Sequence, residues 1–163
     1  MKIVIDPGHA GRDIDPGAVN KISGLQEADI TFMISKLLEN CLLEDGYEVK
    51  LTRNDWEEEE TDDLSYRTAL ANSWGADIFI SLHCNSAENE NAKGYEIWTS
   101  PGDTLGDRLA NCIYGEISVE FPDEANMESI SMEELVDSVI RQSDTVALEQ
   151  AEKLEISCAS LKM

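Results

Sequence analysis

The feature that most constrains this chain is a short β-branched run that breaks into a Pro-Gly turn and then a histidine. It reads Lys2-Ile3-Val4-Ile5-Asp6-Pro7-Gly8-His9. The apolar run has the length of a buried strand. Pro fixes φ and Gly tolerates positive φ, so Asp6-Pro7-Gly8 is turn chemistry. His9 therefore sits just past the carboxyl end of a strand, where open α/β sheets bind their ligands. A second stretch repeats the arrangement: Ala76-Asp77-Ile78-Phe79-Ile80-Ser81-Leu82 is again a buried-strand pattern, and His83 follows it. These are the only 2 histidines of the chain. One alone could merely cap a strand. Two converging at one sheet edge would make most of a metal site.

Strands alternate with helices along the chain. After a Gly-, Asp- and Pro-rich loop through Ala18, a helix begins near Gln26 and carries Ile30, Met33, Ile34, Leu37, Leu38, Cys41 and Leu42 on one apolar face, with Gly46 as its stop. Tyr47 to Thr52 alternates like a second strand. Leu64 to Trp74 reads as a helix with Asp62 or Asp63 as N-cap and Gly75 at its end. The third strand leads to His83, and Gly94 to Thr99 reads as a fourth. A helix from about Thr104 to Glu116 presents Leu105, Leu109, Cys112 and Ile113 to the core. Ser131-Met132-Glu133-Glu134 resembles a capping box, and Ala147 to Leu154 reads as further helical turns. The expected fold class is α/β: one domain over 1–163, a mostly parallel twisted sheet with helices on both faces, and a metal site at the carboxyl edge of the strands.

Charge narrows the partners. With 34 acidic against 12 basic side chains, the net charge of −22 argues against nucleic acid or an anionic membrane surface and suits retention of a divalent cation. The acidic run Trp56 to Asp63 reads as a solvated connector. None of the 4 cysteines forms a C-x-x-C pair. Cys41 and Cys112 fall at apolar helical positions and read as small core residues. Cys84 follows His83, and neighbours in a strand point to opposite faces, which argues against ligation. No disulfides are expected, no segment is long enough to insert into a membrane, and no signal peptide opens the chain.

A catalytic zinc takes three protein ligands and keeps one open position. With no third histidine, the remaining ligand must be a carboxylate or a thiolate. Glu27 is the best candidate, because it lies in the first turn of the helix fed by the post-His9 loop. Its alternative role is an acidic residue favoured by the helix dipole.

Taken together, Ile3 to His9, the Asp15-Pro16-Gly17-Ala18 turn, Glu27, Leu51-Thr52-Arg53, Arg67 with Ala71-Asn72, and Ile80 to Ser86 resemble the zinc-dependent N-acetylmuramoyl-L-alanine amidases of bacterial cell-wall and phage lytic systems. The matches run in family order from residue 2 to about 115. The resemblance implies zinc (Zn2+) held by His9, Glu27 and His83. It also implies hydrolysis, in peptidoglycan, of the amide joining the lactyl group of N-acetylmuramic acid to L-alanine. It implies action on the cell wall; with no signal peptide, the chain is expected to be made in the cytoplasm and to reach the wall by lysis or as a domain of a larger exported protein.

The family carries its general base as a glutamate on a late strand, in a pattern like Pro-Ala-Val-Leu-Val-Glu-x-Gly-Phe. No such run is present. Val139 to Glu149 is the nearest match, which makes Glu149 the first candidate base, with Glu120 and Glu96 as alternatives. Either the C-terminal part is rearranged or the base is absent. Two other functions remain open on the sequence. One is a catalytically silent zinc-containing module that binds peptidoglycan, and the other is a zinc carboxypeptidase-like enzyme. The latter would need an arginine for the substrate carboxylate, and the basic residues form no cluster.

Overall fold

The computed structural model describes residues 1–87, 94–120 and 157–162. Its elements in chain order are β1 (Lys2–Pro7), α1 (Glu27–Glu44), β2 (Glu48–Leu51), α2 (Leu64–Trp74), β3 (Ile78–His83), β4 (Glu96–Thr99), α3 (Leu105–Glu120) and β5 (Ser157–Lys162). The sheet order is β2-β1-β3-β5-β4. All neighbours pair in parallel except β4, which runs antiparallel to β5. The expected α/β class and mostly parallel sheet are therefore present.

Alternation along the strands divides the core into two layers, because successive side chains face opposite ways. Ile3, Ile5, Leu51, Ile80 and Leu82 pack with Ile34, Leu38 and Leu42 of α1. On the other face Val4, Ala71, Ala76 and Phe79 pack with Leu70 and Trp74 of α2. α2 follows its local signals closely. The Asp63 side chain accepts the Ser65 N–H at 2.8 Å, and Gly75 closes the helix at φ 70°, a left-handed position that suits glycine.

The apolar stripe of α1 is only partly used. Met33 and Leu37 are exposed, and so is Cys41, which corrects its expected place in the core. At the site end the helix instead buries Ala28, Thr31, Phe32 and Ser35. Ala28, Thr31 and Ser35 are small and allow close approach, and the Thr31 hydroxyl donates to Gly8 O at 2.9 Å. That contact rotates the packed face away from the purely hydrophobic one. α3 departs in the same way. Cys112 and Leu105 are exposed, while Tyr114 and Ser118 meet Tyr95. Ile117 to Glu120 continues α3 and forms no strand.

The acidic connector is tied down rather than simply solvated. Glu58 N–H donates to Ala10 O, Gly11 bridges Glu57, and Thr61 is buried in a 3₁₀ turn, Glu59–Asp62. The helices expected at 131–140 and 147–154 lie outside the described residues. β5 was not anticipated from sequence. No helix among the described residues is long and apolar enough to cross a membrane.

A buried polar knot joins the strand ends. Asp6 is 4% exposed and accepts from Arg67 Nη1 at 2.8 Å, the Thr52 hydroxyl at 2.5 Å and the Ser81 hydroxyl at 2.7 Å. Removing one partner of a buried ion pair strands the other charge. Arg67→Ala should therefore cost on the order of 3–5 kcal/mol in denaturant unfolding. A loss below about 1 kcal/mol, the range of exposed pairs, would mean that Asp6 does not depend on the arginine.

Candidate metal centre

β1 ends at Pro7, and Gly8 N–H donates to Leu82 O at 2.8 Å, so the chain leaves β1 alongside the end of β3. A Cβ at Gly8 would lie 2.6 Å from that same carbonyl and 2.7 Å from His83 Nδ1. Only glycine permits this approach. His9 then takes a left-handed backbone, φ 68°, the only positive φ outside glycine among the described residues. The two imidazoles meet edge to face with ring centroids 5.0 Å apart.

Glu27 enters from the first turn of α1 and is 6% exposed. Each of its oxygens faces one histidine: Oε2 lies 3.1 Å from His9 Nε2, and Oε1 lies 3.1 Å from His83 Nδ1. Two backbone amides orient the carboxylate, Ala18 N–H on Oε2 at 3.0 Å and Cys84 N–H on Oε1 at 2.7 Å. Burial works to raise the Glu27 pKa. The hydrogen bonds to His83, His9 and the Ala18 amide outweigh it and hold the group well below the usual carboxylate range. At His9 burial works to lower the pKa, but hydrogen bonds to Glu27 and Asp15 and both carboxylate charges prevail and raise it above 6.5.

Ligand-type atoms of His9, Glu27 and His83 all lie within 4.8 Å of one another, the one such group among the described residues. The donor set fits zinc. Ligands about 2.1 Å from a tetrahedral zinc stand roughly 3.4 Å apart, close to the carboxylate–imidazole separations seen. The space is also kept clear. A Cβ at Gly17 would fall 2.5 Å from His9 Nε2 and 2.8 Å from Glu27 Oε2. The three residues that the sequence proposed are thus brought together. Cys84 supplies its amide and not its thiol, whose pKa burial and the Glu27 charge push up. Asp15 lies against His9 Nδ1 at 2.7 Å, a contact that its place in a Pro-Gly turn does not signal in the sequence.

Glu149 lies outside the described residues. Glu120 is the last residue of α3. Glu96 opens β4, where register pairs it with Lys162, itself paired with His83, so the three share one row across the sheet. Its carboxylate accepts the Trp98 indole N–H at 3.0 Å. β5, the strand beside β3, reads Ser-Cys-Ala-Ser-Leu-Lys and carries no carboxylate.

Fold and cluster together define an α/β domain with a His-Glu-His group that could hold a metal ion at the carboxyl edge of a mostly parallel sheet. Residues 3–151 match the family model described as N-acetylmuramoyl-L-alanine amidase, and the chain belongs to that family. It is 39% identical over 104 residues to N-acetylmuramoyl-L-alanine amidase CwlM of Bacillus licheniformis, covering 63% of this chain and 37% of that protein. It is 39% identical over 97 residues to a sporulation-specific N-acetylmuramoyl-L-alanine amidase of Bacillus subtilis, covering 58% of this chain and 35% of the relative. The chain thus spans little more than a third of the length of either. Among solved structures, the CwlD amidase of Clostridioides difficile, in complex with the GerS lipoprotein, superposes with TM-score 0.75 at 25% identity, over 99% of this chain and 80% of that one.

A metal must displace any proton on His9 Nε2, and the raised pKa makes that competition begin at higher pH than for a free imidazole. Zinc affinity should therefore fall as pH drops through the His9 value, starting above 6.5, by about a decade per pH unit for each proton displaced. A chelator-competition series across pH reads this directly. Affinity that stays flat down to the carboxylate range would remove His9 from the site.

Proposed function

We propose that this chain is a zinc-dependent hydrolase that cleaves, in peptidoglycan, the amide between N-acetylmuramic acid and L-alanine, and that it acts at the cell wall. The observation that carries the reading is the His9–Glu27–His83 cluster, held open by Gly8 and Gly17, in a chain of the amidase family. Two neutral nitrogens and one carboxylate would leave a bound divalent ion with net positive charge. Zinc there would polarise the scissile carbonyl and make water a competent nucleophile near neutral pH. The left-handed backbone at His9 and the two amides on Glu27 keep the three ligands preorganised.

The reaction forms a C–O bond to the lactyl carbonyl carbon and breaks its C–N bond. A general base must take the attacking water's proton and deliver it to the departing L-alanine amine. Glu149 is our proposed base, with Glu96 next on the support of its shared row with His83.

A second reading, a silent zinc-containing module that binds peptidoglycan, has one observation in its favour: β5 carries no carboxylate beside the site. Purified peptidoglycan separates the two. The zinc-loaded chain should release peptides with new L-alanine amino termini, whereas binding without release establishes the silent module.

His83→Ala should abolish stoichiometric zinc and peptide release together. If that variant kept full zinc occupancy at unchanged affinity, the metal would lie elsewhere. Glu149→Gln should keep zinc while turnover falls roughly 10²–10⁴-fold, the usual share of general acid–base catalysis. The same change on a solvent-facing helix would alter stability by only about 0.5 kcal/mol and leave turnover intact. A fully active Glu149→Gln would shift the assignment to Glu96 or Glu120.

A further inference from the structure

Asp15 uses its two carboxylate oxygens for two different tasks. Oδ2 lies 2.7 Å from His9 Nδ1, and Oδ1 accepts the Gly17 N–H at 3.1 Å. The loop between them is closed by reciprocal backbone bonds: Asp15 N–H donates to Gly11 O at 2.9 Å, and Gly11 N–H donates to Asp15 O at 3.2 Å. The carboxylate is therefore held against the His9 ring by main chain on both sides. Gly17, which it anchors, is also the glycine that keeps the space beside His9 Nε2 and Glu27 clear.

An ionised carboxylate can only accept, and a neutral imidazole carries one proton on one of its two nitrogens. Two carboxylates compete for the His9 proton: Asp15 at 2.7 Å from Nδ1, and Glu27 at 3.1 Å from Nε2. The Asp15 contact is the shorter of the two. Resting on the metal reading above, we propose that Asp15 is a positioning residue. It holds the His9 proton on Nδ1 and so presents a bare Nε2 toward Glu27 and His83. His83 turns its Nδ1 to the same centre, so the two imidazoles offer different nitrogens, and among the described residues this brace is seen on His9 alone.

A purely structural role for Asp15, bracing the loop through Gly17, is separable from the proposed one. In Asp15→Asn only the amide oxygen can accept, so it must face Gly17 N–H to keep the loop bond. The amide NH2 then faces His9 Nδ1 as a donor, which favours the Nε2–H tautomer. The loop is preserved while the ring presents the wrong nitrogen. Carboxylates that orient metal-bound histidines typically contribute 10–100-fold in metal affinity.

The test uses the wild-type chain, Asp15→Asn and Asp15→Ala. Zinc affinity is measured by chelator competition. The His9 tautomer is read from imidazole 15N shifts in the metal-free proteins, at a pH above the raised His9 titration range, where the ring is neutral. In the wild type His9 should carry its proton on Nδ1. Asp15→Asn should move it to Nε2 and weaken zinc roughly 10–100-fold, with a metal-free thermal midpoint close to wild type. Asp15→Ala should weaken zinc and loosen the fold as well. A wild-type His9 protonated on Nε2 overturns the proposal by itself, whatever the variants do. So does an Asp15→Asn protein that keeps zinc within about threefold of wild type, or one that loses affinity with no change of tautomer. If the wild type binds no stoichiometric zinc, the metal reading is what fails, and the 15N measurement still decides whether Asp15 fixes the ring.

Discussion

The structure depends on one buried carboxylate. Asp6 ends the apolar run of β1 and ties together Thr52 just past β2, Ser81 of β3 and Arg67 of α2. A charge taken out of water costs several kcal/mol unless it is paired and its oxygens are hydrogen-bonded. Here both oxygens are satisfied, and the guanidinium reaches onward to Pro7 O at 2.9 Å and Thr61 O at 2.6 Å. The knot locks the carboxyl ends of the central strands in register three residues short of His9 and two short of His83. The spacing of His9 and His83 follows from it, because small slips there would separate the imidazoles.

A second buried cation secures the helix that carries Glu27. Arg53 is fully buried and donates from Nη2 to Ala28 O at 2.8 Å and from Nη1 to Asp55 O and Trp56 O at 3.1 Å. With the Thr31 hydroxyl on Gly8 O, it fixes the first turn of α1 against the β1 turn. The polar side chains under the site thus act on backbone carbonyls. They position main chain, and the main chain positions His9, Glu27 and His83.

The acidic balance of the chain has a local counterpart at the centre. Glu27 stays charged because imidazoles and amides surround it, and His9 holds protons tightly because two carboxylates face it. A divalent cation would relieve the same frustration by replacing protons among these groups. The arrangement suits the chemistry of the amidase family, to which the chain belongs.

The sequence by itself determined the elements whose signals are local. The β-branched run and Pro-Gly turn define β1 and the place of His9. Asp63 and Gly75 bound α2 at both ends, and the first turn of α1 contains Glu27. Only the tertiary structure decided the rest. Which face of α1 packs was settled by Thr31 and Arg53 reaching carbonyls of another element, so Met33, Leu37 and Cys41 stayed outside. Asp15 looked like a turn residue until the loop folded its carboxylate onto His9. β5 has no strong strand pattern of its own. Its residues are extended because β3 and β4 pair with it on either side, and such pairing is a property of strands far apart in sequence. Turns and caps are written within a few residues and can be read there. Helix faces, second contacts to a ligand and strand partners are set by whatever the chain brings alongside.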